Sequence, residues 1–168
     1  MAVQAALNAA QALAPIGVDL TKTTSTPKFT LGAVAKLDNN GEAVYCLSSG
    51  TLAQYGLVAI DEDFTARGAT TTNAKLASGP GWPQVAFAQD TYGWIQTKGS
   101  NMLGKQKDAT AADAQLFTST SVGIMGSDGS TGAPVMIAGA RAVSLSSGAG
   151  AAYEIYAVNP HFIVAETM

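Results

Sequence analysis

The stretch from Trp82 to Ser100, WPQVAFAQDTYGWIQTKGS, constrains the fold of this chain more than any other. Val85 and Phe87, then Tyr92, Trp94 and Gln96, recur at every second position on either side of Gln89-Asp90-Thr91. That is the period of a strand with one buried face, and the polar triplet has the composition of a turn. The spacing predicts a β-hairpin. It holds both tryptophans, and an aromatic side chain covers far more apolar area than an alanine, so the hairpin is expected to anchor the core.

Much of the chain reads in the same way. Thr30 to Lys36 is strand-like, Asp38-Asn39-Asn40-Gly41 offers residues that tolerate positive φ, and Glu42 to Leu47 completes a second hairpin. Leu52 to Ile60, LAQYGLVAI, is a nearly continuous apolar run, predicted to be a central strand with Gly56 as a bulge. Phe64 to Gly68 suits a short return strand, and Thr70 to Pro83 a loop. Further strands are expected over 101–107, Leu116 to Met125, Pro134 to Ser146 and Tyr153 to Ala165, with Pro160 marking an edge or a bulge. Short strands between frequent turn signals, with no alternating amphipathic helices, predict an all-β fold, a compact β-sandwich or barrel. TLAQYGLVAI and AADAQLFTSTSVGIM echo one another faintly, a match short enough for chance to produce.

The N-terminal region follows another pattern. Residues 2–14 lack glycine, and Val3, Leu7, Ala10 and Ala14 fall at helical spacing before Pro15 ends it. A helix this short is marginal alone. PIGVDLTKTTSTP then runs without a sustained period between two prolines, as an extended linker does. The organisation predicted is an extended or short-helical N-terminal arm and linker over 1–28 and a β-domain over 29–168. Such an arm cannot bury enough apolar surface by itself, so Val3, Leu7, Leu13, Ile16, Val18 and Leu20, with Phe29 at the domain edge, are expected to bind a partner. Removing residues 2–26 should then leave the domain folded.

Composition narrows the function. Charged residues make up 12% of the chain, about half the usual share, so much of the surface is small and neutral. Either other subunits cover that surface, or the bias belongs to the protein's source. A net charge of −3 argues against a nucleic-acid binder, which needs a basic face to displace counterions. Lys98, Lys105 and Lys107 read as a solvated loop. The start of the chain lacks the positive region of a secretory signal, and no apolar run reaches membrane-spanning length. A soluble product of a reducing cytoplasm, without membrane contact, is expected. Cys46 is the one cysteine, which excludes an internal disulfide, and VYCLS suits a small buried hydrophobe on a strand.

Residues fit for chemistry are few. His161, the one histidine, lies in NPHFIV without a G-x-S-x-G elbow, and GSDGSTGAP lacks the Lys-Ser/Thr pair of a phosphate loop. Asp61-Glu62-Asp63 and Asp38-Asn39-Asn40-Gly41 begin like calcium loops but lack the later ligands, and they read as solvated turns. No catalytic, cofactor or metal site is predicted. Trp82, between glycine and proline, is the surface candidate: it either stacks on a sugar or fills a partner's pocket, or it folds back to cap the core.

The stretch from Ala43 to Val122, about half the chain, resembles the small β-rich head decoration, or cement, proteins of tailed bacteriophages, and the resemblance lies in SSGTLAQYGLVAIDEDFTAR, QVAFAQDTYGWIQTKGS and ADAQLFTSTSVGIM. The resemblance implies a non-enzymatic virion protein, commonly a homotrimer, that binds the major capsid protein on the outer head surface after assembly in the host cytoplasm. The long N-terminal region departs from the shortest such proteins. Two further classes are a carbohydrate-binding β-module using Trp82 and Tyr92, and a tail or head-fibre component.

Overall fold

A computed structural model of the chain describes residues 18–38, 40–107, 109–127, 134–147 and 150–164. The fold is all-β. Strands make up 49% of it, and the helical element among the described residues is a 3-10 turn at Asn73–Lys75.

The strands are β1 (Thr23–Thr24), β2 (Val34–Leu37), β3 (Gly41–Ser48), β4 (Val58–Ile60), β5 (Thr65–Gly68), β6 (Gly79–Gly81), β7 (Tyr92–Lys105), β8 (Gln115–Thr118), β9 (Met125–Gly126), β10 (Met136–Ala142) and β11 (Ala152–Ile163). They form one sheet in the order β6-β4-β5-β3-β7-β11-β10-β8-β9, with β1 added to β7 and β2 to β3. Neighbours are antiparallel except β3 and β5. The sheet is a curled, open half-barrel. At one end β6 curls back until Trp82 bridges to Gln96 on β7. At the other, Met125 on β9 bridges to Gln106, just past the end of the same strand.

Curling makes strand faces alternate between cores. On β4 and the residue before it, Leu57 and Ala59 join a core with Trp82, Met102, Met125, Ile137 and Ile155, while Val58 and Ile60 join another with Cys46, Phe87 and Ile95. Both faces of β4 are therefore dry, which explains its unbroken apolar sequence. β3 divides similarly: Cys46 points into the second core, and Ala43 and Tyr45 into a third, with Leu37 and Trp94.

The Asp38 to Gly41 turn forms as predicted. Asn40 takes φ 59°, Gly41 N–H donates to the Asp38 carbonyl at 3.2 Å, and β2 pairs with β3 as a hairpin. β5 returns along β4 as expected. Pro160 lies at a bulge: Ala138 pairs with His161 and Ala140 with Ala157, so three β11 residues face Gly139 alone.

Three expectations need correction. Val85 to Phe87 does not form a hairpin with Tyr92 to Gln96. The turn is real, with Asp90 at φ 59°, but Asp90 N–H donates to the Ser48 carbonyl at 3.0 Å and Ser48 Oγ donates to the Ala88 carbonyl at 2.6 Å, fastening the turn to the end of β3. Phe87 then pairs with Leu52, and β7 takes β3 and β11 as partners. Leu52 to Ile60 is not one strand either: Tyr55 at φ 62° and a Gly56-to-Ala53 hydrogen bond of 2.9 Å turn the chain in its middle. Leu116 to Met125 is divided likewise into β8 and β9.

Ahead of Phe29, Val18 and Leu20 are buried beside Tyr45 and Trp94, and β1 pairs with the start of β7. An extended segment gains more by covering the outer face of β3 and β7 than by remaining a linker, since that face carries Tyr45, Trp94 and Tyr92.

Candidate interaction surface

Potential chemical groups are occupied locally. The Arg67 guanidinium donates to the Asp61 carboxylate at 2.9 Å. Asp63 accepts from the Thr65 backbone N–H at 2.9 Å, and the backbone and hydroxyl hydrogen bonds from Thr65 hold its carboxyl below the ordinary value. His161 is exposed on β11, its Nδ1 3.1 Å from the Asn159 carbonyl. Cys46 is fully buried, and that burial pushes its thiol up to about 12. Among the described residues no group of His, Cys, Asp and Glu is placed to hold a metal ion.

Trp82 is not a surface platform. It is 0% exposed, its indole N–H directed at Met125 Sδ at 3.4 Å, with the Gln84 amide donating to its carbonyl at 3.0 Å. Gly-Pro-Gly on β6 carries it inward to the bridge with Gln96, and Gly104 on β7 leaves room for the Met125–Trp82 contact: a Cβ there would lie 2.4 Å from Met125 Cε and 3.3 Å from Trp82 Nε1. A carbohydrate platform of Trp82 and Tyr92 is therefore ruled out for this geometry, since the two rings belong to different cores.

Val18, Leu20 and Phe29 are packed within the domain. Phe29 meets the rings of Tyr45 and Trp94 at centroid distances of 5.2 Å each, within the range of favourable aromatic pairs. The Tyr45 hydroxyl accepts from the Lys28 N–H at 3.1 Å, which ties the incoming segment down further. Val3, Leu7, Leu13 and Ile16 lie outside the described residues.

Several large apolar side chains are exposed. Val34 (60%), Leu76 (75%), Val122 (65%) and Leu145 (74%) stand in solvent, with Tyr156 about half exposed. Two hollows accompany them. One, of about 490 Å³, runs along the seam where β6 approaches β7, its floor made by Val44, Ile60, Phe64, Pro80 and Pro160. Its wall carries Glu42, which accepts from Lys36 and lies 3.5 Å from Lys98 Nζ. The hydrogen bond from Lys36 and the nearby positive charges outweigh partial burial and hold the Glu42 carboxyl below its usual range. The other hollow, of about 360 Å³, lies between Val18, Phe29, Trp94 and the Ala33 to Lys36 stretch.

Sequence reasoning did not find these hollows, because each joins residues far apart in the chain. Single exposed positions such as Val34 were in principle readable, as an apolar residue on the outward phase of an edge strand. No protein-family model matches the chain, and no curated protein matches it.

Proposed function

We propose that this protein is a non-enzymatic structural component of a virion, a decoration or cement protein that binds the major capsid protein on the outer surface of a tailed-phage head and reinforces the lattice. The observation that carries this reading is the surface: large apolar side chains stand exposed on a chain with only 12% charged residues. A free monomer gains solubility from mixed surface charge, and exposed apolar patches are characteristic of surfaces that other proteins cover. The resemblance of three strand-and-turn segments to phage decoration proteins gives that cover its identity. A homotrimer in the mature virion, assembled in the host cytoplasm, completes the proposal.

The test is addition of purified protein to undecorated heads. Saturable binding, a higher temperature of head rupture and added density on the outer shell are expected, with a solution mass of three chains. Heads that take up no protein, or protein located on the tail in electron micrographs, would refute the capsid assignment.

A further inference from the structure

The turn that joins β2 to β3 holds a pair of residues able to react with each other. Asn40 is exposed at φ 59°, a conformation asparagine tolerates better than most residues, and its side-chain amide has no hydrogen-bond partner among the described residues. Gly41 comes next, so no side chain shields the backbone nitrogen that follows the Asn40 carboxamide in the chain. That nitrogen donates to the Asp38 carbonyl at 3.2 Å, the long end of the normal range.

Other asparagines among the described residues are held differently. Asn73 is pinned at both ends of its amide: Oδ1 accepts from the Thr70 N–H at 2.7 Å, and Nδ2 donates to the Gly68 carbonyl at 2.8 Å. Asn159 precedes Pro160, whose ring nitrogen has no hydrogen to lose. Asn101 lies within β7 and precedes Met102, which is fully buried and paired with Ile155.

We propose that Asn40 is a site of spontaneous covalent modification, deamidation through a succinimide formed with Gly41. The Gly41 nitrogen attacks Asn40 Cγ. The new N–Cγ bond forms as the Cγ–Nδ2 bond breaks, and ammonia leaves with the proton that the Gly41 nitrogen gives up. Water then adds to one of the two ring carbonyls and opens the ring, leaving aspartate or isoaspartate at position 40. Solvent is the sole co-reactant. Either product adds a negative charge to a turn that already holds Asp38. Isoaspartate also routes the main chain through the former side chain and lengthens it by one atom. Little room exists for that change: Gly41 pairs with Leu37, a Cβ on Gly41 would lie 3.0 Å from Leu37 Cβ, and a Cβ on Gly99 would lie 3.0 Å from Gly41 Cα. Leu37 belongs to the core of Tyr45 and Trp94, so the modification reaches from an exposed turn into the packing of β2. This inference does not depend on the capsid assignment, and it is tested without particles.

The experiment incubates the purified full chain in neutral buffer at physiological temperature for several weeks, beside an Asn40→Gly variant that keeps the positive φ and lacks the amide. Isoelectric focusing follows the charge, and fragmentation of the tryptic peptide from Leu37 to Arg67 locates the change. A growing, more acidic fraction is expected, with aspartate or isoaspartate at position 40, with Asn73 unchanged over the same period, and with a urea midpoint below that of fresh protein. Asn40→Gly is expected to keep its original charge. A chain that retains its amide at position 40 would overturn the proposal. So would conversion that is no faster at Asn40 than at Asn73, or that occurs only in chain unfolded by urea.

Discussion

The backbone N–H of Trp82 donates to the carbonyl of Gln96 at 2.8 Å, and this one bridge brings the free edge of β6 back onto the middle strand of the sheet. The indole ring and the bridge belong to the same residue, so side-chain packing and sheet curvature depend on each other there. Trp82→Ala should cost about 3 to 5 kcal/mol in denaturant unfolding, as for other large aromatic truncations. Trp94→Ala should fall in the same range, because it faces a separate core and is almost as buried. A loss below about 1 kcal/mol at either position would contradict the burial described.

The segment ahead of Phe29 provides a second test. Leu20 is 1% exposed between Tyr45 and Trp94, so Leu20→Ala should destabilise by about 2 to 5 kcal/mol. Deleting residues 2–26 removes Val18, Leu20 and β1 together and should lower the unfolding temperature sharply, opposite to what the sequence pattern predicts. Unchanged thermal unfolding of that truncated chain would support a domain boundary at residues 28/29.

Gly139 sits opposite the β11 bulge at φ +75°, and a Cβ added there would lie 2.3 Å from the Val158 carbonyl oxygen. Backbone cannot withdraw as a flexible side chain can. Gly139→Ala should therefore cost more than about 1 kcal/mol, the strain of the left-handed conformation being compounded by the clash. Equilibrium unfolding in urea measures it.

Acid should weaken the fold in a defined window. Glu42 and Asp63 both have carboxyl groups held below their ordinary values of 4.5 and 3.8, Glu42 chiefly by the hydrogen bond from Lys36 and Asp63 chiefly by that from the Thr65 backbone. A depressed folded-state pKa contributes stability above the unfolded pKa and loses it as pH falls through the folded one. The urea midpoint is therefore expected to stay level from neutral to about pH 5 and to fall below about pH 4.5, less steeply in Glu42→Gln. A midpoint that rises on acidification would contradict this sign.

The Cys46 thiol, buried and shifted to about 12, should resist alkylation in the native protein. Labelling at pH 8 should be slower than in denaturant by on the order of 10³-fold or more, since reaction requires the fold to open. Labelling at the denatured rate would mean that Cys46 is accessible.

Period-two patterning made the strands visible and left their partners hidden. Alternation tells which residues share a face, so Tyr92, Trp94 and Cys46 were readable as buried or half-buried strand positions. It does not tell which strand lies alongside, and Val85 to Phe87 was matched to its nearest neighbour in sequence when Leu52 is the partner. Leu52 to Ile60 looked continuous because its last residues are buried on both faces, while nothing in the sequence marks Tyr55 for a positive φ. Val18-Asp19-Leu20 did carry a short alternation, concealed by the threonines that follow. The hollows were illegible for a different reason: Glu42, Lys98 and Pro160 meet only after the sheet has curled.

β7 also orders events during synthesis. Its neighbour β3 precedes it, but β11, which spans Ala152–Ile163, leaves the ribosome well after it. Until then residues 99–105 of this fourteen-residue strand lack their β11 partner, and an unpaired edge is a template for other chains. Such non-local pairings form slowly, so the newly made protein is most exposed to aggregation in the interval before β11 arrives. β11 thus acts as the closing piece, and a chain that stops short of Ala152 should be lost to aggregates rather than accumulate as a smaller folded protein.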